Sequence, residues 1–258
     1  MEILSFDIVG KFAHFRKYYT TNTALSFTIP PRTAIMGIVG AVLGKQRDSY
    51  YEEFASDKLR IGIQVKSRIK KSMHRVNYLS IKGKDDFRGK QSHIQTPVEL
   101  LSGEKIGRGE VRYKLYVSYF EGYKEIYDRI KEALLNSRIH YNLTLGTANH
   151  TASIENIKVF NNDAVESVSL EDDFIDIHSA CSSNKISKVE FSKNETYKYD
   201  FIEEDLLPSD FKSNYDRELS KMNKVIFTTG DIPLHAKFTG ELFRIQDENE
   251  AYHIQFLE

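Results

Sequence analysis

The segment Phe27-Thr-Ile-Pro-Pro-Arg-Thr-Ala-Ile-Met-Gly-Ile-Val-Gly-Ala-Val-Leu-Gly44 constrains the fold of this chain more than any other. Two prolines end an extended run, because proline fixes φ and donates no backbone hydrogen bond. Thr33 then reads as the N-cap of a helix. Ile35, Ile38, Val39 and Val42 follow at i, i+3, i+4 and i+7, on one apolar stripe. Gly37, Gly40, Ala41 and Gly44 make a second stripe almost without side chains. An interior glycine costs a helix about 1 kcal/mol relative to alanine. Two on one face point instead to close approach, by another element or by a ligand such as a phosphate chain.

Around this helix the apolar periodicity reads as β-α-β-β-α-β. Leu4, Phe6 and Ile8 alternate with polar residues, as do the runs Leu59–Val65 and Val111–Tyr119. Tyr123, Ile126, Ile130 and Leu134 keep helical spacing through Glu121–Ser137, and Ile154, Ile157 and Val159 suggest a last strand. A second short helical piece is expected around Ser49–Ala55. This order predicts a ferredoxin-like α+β domain over residues 1–160, whose open sheet face is where RRM-type domains take single-stranded RNA. Residues 67–110 join two strands that a short turn could join, and a connection this long in a compact domain is either functional or disordered. Residues 161–258 carry short β-like runs at Val189–Phe191, Thr196–Phe201, Lys224–Thr229, Leu234–Phe238, Leu242–Ile245 and Ala251–Leu257, and read as a smaller β-rich domain.

A net charge of −1 hides a split. Residues 1–160 hold 26 Lys+Arg against 16 Asp+Glu, and the remainder 10 against 21. Such asymmetry suggests a nucleic-acid face in the first part, although two-domain proteins also split by chance. The cations cluster further in the insertion, at Lys66, Arg68, Lys70, Lys71, Arg75, Lys82, Lys84, Arg88 and Lys90. Such a run suits a phosphate backbone, with Tyr51, Tyr78 and Phe87 near enough in sequence to stack on bases. A solvated basic loop would look the same. The single Cys181 excludes an internal disulfide and a cysteine-based metal cluster. No run approaches a membrane span and the N-terminus carries no signal-peptide pattern, so a cytoplasmic protein is expected.

The candidate RNA contacts are Arg16, Lys17 and Tyr19 after the first strand; Arg32, Thr33, Gly37 and Gly40 on the helix; and Arg68, Lys70, Lys71, His74, Arg75, Lys90 and His93 in the insertion. Gly146, Thr147 and Asn149 join them from a polar loop, where backbone amides and small side chains suit phosphate or sugar. There is no Walker loop and no histidine pair at metal-ligand spacing, so no catalytic residue, metal or cofactor is assigned. His74 and His93 could act as general base and acid in metal-independent RNA cleavage.

Phe15-Arg16, a polar linker, and then Ser26-Phe27-x-x-Pro30-Pro31-x-Thr33-x-x-x-Gly37-x-x-Gly40-Ala41-x-x-Gly44 resembles the N-terminal motif of the Cas-five family. The resemblance implies the RNA-handle-binding subunit of type I CRISPR surveillance complexes (Cascade), closest to subtype I-B. It implies that residues 67–110 contain a thumb that grips crRNA. It implies that the protein caps the backbone filament, contacts the Cas-seven backbone subunit and the large Cas-eight-type subunit, and meets target DNA through the complex. In type I-C systems a subfamily cuts pre-crRNA with Tyr, Lys and His. Lys71 and His74 are three apart here, with no tyrosine paired to them, so cleavage stands as the alternative to a purely binding role.

Overall fold

The computed structural model describes residues 1–81, 83–88, 93–191, 201–248 and 250–257. Lys82, Lys90 and most of the run Thr196–Phe201 lie outside the described residues. The principal elements are β1 (Ile3–Gly10), α1 (Arg32–Val42), β2 (Leu59–Val65), β3 (Lys70–Leu79), β4 (His93–Ser102), β5 (Val111–Tyr119), α2 (Lys124–Leu135), β6 (Thr151–Phe160), β7 (Val165–Ile177), β8 (Ile202–Ser213), β9 (Asp216–Thr228), β10 (Leu234–Asp247) and β11 (Glu250–Ile254). The central sheet runs β2-β5-β1-β6, with a short strand Leu143–Thr144 at its far edge, and every neighbouring pair is antiparallel.

Alternation decides which side of this sheet carries the main core. Leu4, Phe6 and Ile8 of β1 meet Ile61 and Ile63 of β2, Leu115 and Val117 of β5, and the apolar stripes of both helices. In α1 the stripe is Ile35, Ile38, Val39 and Val42, all buried. In α2 it is Tyr127, Ile130 and Leu134. The predicted helix at Ser49–Ala55 is instead a series of turns. Tyr50, Tyr51 and Phe54 supply apolar spacing there, but all three enter the main core from an irregular segment. Thr33 is not the N-cap. Pro31 occupies that position, with no side-chain cap, and the helix begins at Arg32.

The opposite sheet face is covered. Ile3 and Tyr116 point away from the helices and meet Phe243, Ile245, Ile254 and Phe256 of the C-terminal part. Leu257 donates its N–H to the Ile61 carbonyl at 2.8 Å, and Ala180 donates to the Ile63 carbonyl at 2.7 Å, both along the outer edge of β2. The face expected to lie open to RNA is therefore filled by the chain's own later strands, because their aromatic side chains need this apolar surface.

The insertion forms a long hairpin of β3 and β4, in register from Lys70↔Ser102 to Leu79↔His93. The C-terminal part holds β7, β10 and β11 with a short strand Ile186–Val189 in one sheet, and the separate hairpin β8–β9. The two predicted runs Leu234–Phe238 and Leu242–Ile245 are one continuous strand, β10. Leu207, Val225 and Phe227 of the hairpin enter the same core as the helices.

The charge split turns out to join the two halves. Lys17 pairs with Asp205 at 2.6 Å, Lys66 with Asp231 at 2.6 Å, Lys71 with Glu203 at 3.0 Å and Lys158 with Asp247 at 2.7 Å. The deepest pair is Arg32 with Asp210, at 2.9 Å, with the Arg32 side chain 1% exposed. Arg32 Nη2 also donates to the carbonyls of Phe54 and Leu59, at 2.8 and 2.7 Å, and Asp210 Oδ1 accepts from the Ser56 N–H at 3.1 Å. One buried guanidinium thus ties α1, the turn region and β8 together. Arg32 is a structural cation and not an RNA contact.

Gly40 and Gly146 are among the glycines that hold close approaches. The ring of Tyr50 lies on Gly40, where a Cβ would come within 2.8 Å of it. Gly146 has φ +95°, and a Cβ there would lie 1.8 Å from the His14 carbonyl oxygen. The loop is pinned at this point, since the His14 N–H donates to the Leu145 carbonyl at 3.0 Å.

Asp210→Ala leaves the buried guanidinium uncompensated. It should cost about 3 kcal/mol or more, a fall in Tm of roughly 6–12 °C in thermal unfolding. A loss below about 1 kcal/mol would reduce the pair to an ordinary surface bridge. Gly146→Ala should lose more than about 1 kcal/mol in denaturant unfolding. Gly37→Ala, where the nearest atom is the Tyr50 hydroxyl at 3.3 Å, should be neutral or stabilising by up to about 1 kcal/mol. Equal stability of the two variants would contradict the close contact at Gly146.

Candidate nucleic-acid interface

Sequence-distant segments enclose a cleft of about 850 Å³. One wall is the exposed side of α1 at Thr33, Ala34 and Gly37. A second is the segment around Arg16 and Tyr18, and a third is the loop at Gly146, Thr147 and Asn149. The hairpin β3–β4 adds Val76, Tyr78, Val98 and Leu100, and the hairpin β8–β9 adds Phe211, Arg217 and Leu219.

Each wall follows from local structure. On β3, residues two apart share a face, so Val76 and Tyr78 point to the cleft beside Val98 and Leu100 of β4. Lys71 and Arg75 fall on the other face of that strand. The segment before Ser26 is drawn onto β4 by backbone bonds, from the Ala24 N–H to Pro97 O at 2.9 Å and from the Glu99 N–H to Ala24 O at 2.9 Å. The loop closes on itself, with the Leu145 N–H donating to His150 O at 2.8 Å and the His150 N–H to Thr147 O at 3.0 Å.

The lining is aromatic and cationic. Phe15, Tyr18, Phe27, Tyr50, Tyr78 and Phe211 contribute rings, and Arg16 and Arg217 contribute charge. Among the described residues no Asp, Glu or Lys lines it. Among the described residues, Arg16 donates only to the Thr20 carbonyl, at 3.3 Å. The start of α1 has no side-chain cap and no acidic residue in its first turn, so its amide ends keep partial positive charge. Burial, and after it neighbouring His14, push the pKa of His150 down. Arg16, Arg217 and the helix terminus bring positive charge to the cleft. The arrangement suits a phosphodiester chain with unstacked bases against the rings.

Of the residues read from sequence, the cleft brings together Arg16, Thr33, Gly37, Gly146, Thr147 and Asn149. Others lie elsewhere. Lys17 is taken by Asp205; burial alone would lower its pKa, but hydrogen bonds to Asp205 and Tyr19 outweigh this and raise it. Tyr19 is exposed, edge-on to Tyr18 at 5.1 Å between centroids. Gly40 lies under Tyr50. Arg68 pairs with Glu104 at 3.0 Å, and Lys71 with Glu203. Lys70 and Arg75 are exposed on β3, and His93 is exposed at the start of β4. His74 shares the cleft-side face of β3 and is hydrogen-bonded to Ser72 at 2.9 Å. Lys90 is outside the described residues. Arg217 escaped the sequence reading, because it sits in an acidic stretch with no local motif around it.

Comparisons with known proteins agree with this architecture. A crystal structure of a CRISPR protein from Archaeoglobus fulgidus is similar over 100% of both chains, with a TM-score of 0.55 and 12% identity. A chain of a CRISPR RNA-guided surveillance complex is similar over 89% of this chain and 91% of that one, with a TM-score of 0.50 and 12% identity. At such identities the likeness concerns the fold. No curated protein matches in sequence. No described helix is long and apolar enough to cross a membrane. A family model, in contrast, matches residues 3–228, which is most of the sequence, and on that ground the chain belongs to the CRISPR-associated protein (Cas_Cas5) family.

Proposed function

We propose that the protein is a non-catalytic RNA-binding subunit of a type I CRISPR surveillance complex and holds the 5′ handle of crRNA in the cleft. The observation that carries this reading is the convergence of Arg16, Thr33, Gly37, Gly146, Thr147 and Asn149, from three distant segments, on one carboxylate-free surface. Within that reading, residues 1–160 form a ferredoxin-like domain with a thumb, which the strand order β6-β1-β5-β2 supports. Residues 161–258 form a second, β-rich domain that covers the sheet and completes the cleft. Membership of the family supports an assembly role. The protein caps the backbone filament and touches the Cas-seven-type backbone subunit and the large Cas-eight-type subunit. The assignment to subtype I-B rests on the N-terminal motif alone.

Cleavage of pre-crRNA is less well supported by the geometry. Lys71 is held by Glu203, His74 by Ser72, and His93 lies at the far end of the hairpin from Lys70.

Purified protein incubated with repeat-derived RNA in EDTA should bind without site-specific cleavage, and affinity should fall steeply with salt. Arg16→Ala should weaken binding about tenfold or more and reduce the salt slope by about 1, with little change in Tm. Gly37→Leu should leave the fold intact and obstruct the cleft, whereas Gly40→Leu should displace Tyr50 and lower Tm. Cleavage abolished by His74→Ala would replace this reading with the endoribonuclease one. Binding untouched by both Arg16→Ala and Gly37→Leu would move the RNA elsewhere.

A further inference from the structure

We propose that Arg217, supplied by β9, contacts a backbone phosphate of single-stranded RNA in the cleft, and that Asp48 is the positioning residue that aims its guanidinium. The inference rests on the reading of the cleft as an RNA site and adds to it a cation from the acidic half of the chain.

The geometry has three parts. Arg217 lines the cleft, and its side chain is 51% exposed. Its Nε and Nη2 donate to Asp48 Oδ1, at 3.1 and 2.7 Å. Asp48 takes one edge of the planar fork and the Tyr51 hydroxyl also bonds the guanidinium, while the side chain stays half exposed in the cleft lining, within reach of a ligand. Asp48 Oδ1 also accepts from the Tyr51 hydroxyl at 2.5 Å, and Asp48 Oδ2 lies 3.6 Å from Arg47 Nε. Asp48 itself does not line the cleft.

The backbone on both sides of this pair is fixed. Asp48 and Tyr215 both hold left-handed φ, 64° and 61°, and the Tyr215 N–H donates to the Asp48 carbonyl at 2.7 Å. Asn214 and Glu52 exchange hydrogen bonds, with the Asn214 N–H on Glu52 Oε1 at 3.0 Å and the Glu52 N–H on Asn214 Oδ1 at 3.1 Å. The tip of the β8–β9 hairpin is thereby riveted to the loop that follows α1. A long side chain ordinarily loses rotamer freedom on binding a phosphate. Here Asp48 has already ordered it.

The full-length protein, titrated with fluorescein-labelled repeat-derived RNA across a range of salt, tests this. Arg217→Ala should bind about tenfold more weakly, with a salt slope smaller by about 1. Arg217→Lys should keep the slope and still lose affinity, since an ammonium cannot be held by Asp48 and grip a phosphate in the same way. Asp48→Asn should also bind more weakly, although the change makes the protein more positive. Asp48→Asn binding RNA as tightly or more tightly than the parent would overturn the positioning role. Unchanged affinity and slope in Arg217→Ala, with Arg16→Ala impaired, would overturn the contact while sparing the cleft. If Arg16→Ala and Arg217→Ala both bind like the parent, the cleft reading falls with it. Should Arg217→Ala melt early, the Lys variant's split between slope and affinity carries the test.

Discussion

The contact on which the rest of this structure depends is the buried ion pair of Arg32 and Asp210. It joins residues 178 positions apart in sequence. The guanidinium sits at the start of α1 and satisfies the carbonyls of Phe54 in the turn region and Leu59 at the start of β2, as well as the carboxylate. Desolvating two charges is costly, and the cost is offset only where geometry and extra hydrogen bonds are good. Here every partner belongs to a different segment. The pair therefore specifies how the C-terminal hairpin meets the helix. That hairpin brings Phe211, Arg217 and Leu219 over the cleft.

The chain's charge asymmetry follows the same logic. Part of the basic excess in the first half is spent on acids of the second, through Lys17, Arg32, Lys66, Lys71 and Lys158. Apart from the buried Arg32 pair, such partly exposed pairs contribute little each, about 0–1 kcal/mol. Their joint effect is orientation more than stability. None of the paired carboxylates lines the cleft, whose arginines and uncapped helix end have no acidic residue in the lining among the described residues.

Where periodicity is local, the sequence was legible. β1, β2, β5, both helices and β6 stand where alternation or helical spacing placed them, because each has one face in a single core. The glycine stripe was legible as a site of close approach. Its occupants were not, since the Tyr50 ring over Gly40 and the Tyr50 hydroxyl beside Gly37 depend on how an irregular segment folds back. Arg32 next to a helix start looked like a phosphate ligand, and only its distant partner shows otherwise. β7 was missed because its outward positions are acidic and exposed; it is a strand by virtue of pairing with β10 along its length. The coverage of the sheet by Phe243 and Phe256 had no local signal at all.

Photo-cross-linking of the protein to repeat-derived RNA carrying photoreactive uridines, with the adducts mapped by mass spectrometry, tests most directly whether RNA occupies the cleft. Adducts should concentrate on cleft residues, foremost the exposed rings of Tyr18 and Tyr78. Adducts confined to exposed aromatics elsewhere, such as Phe174 or Phe191, would contradict it.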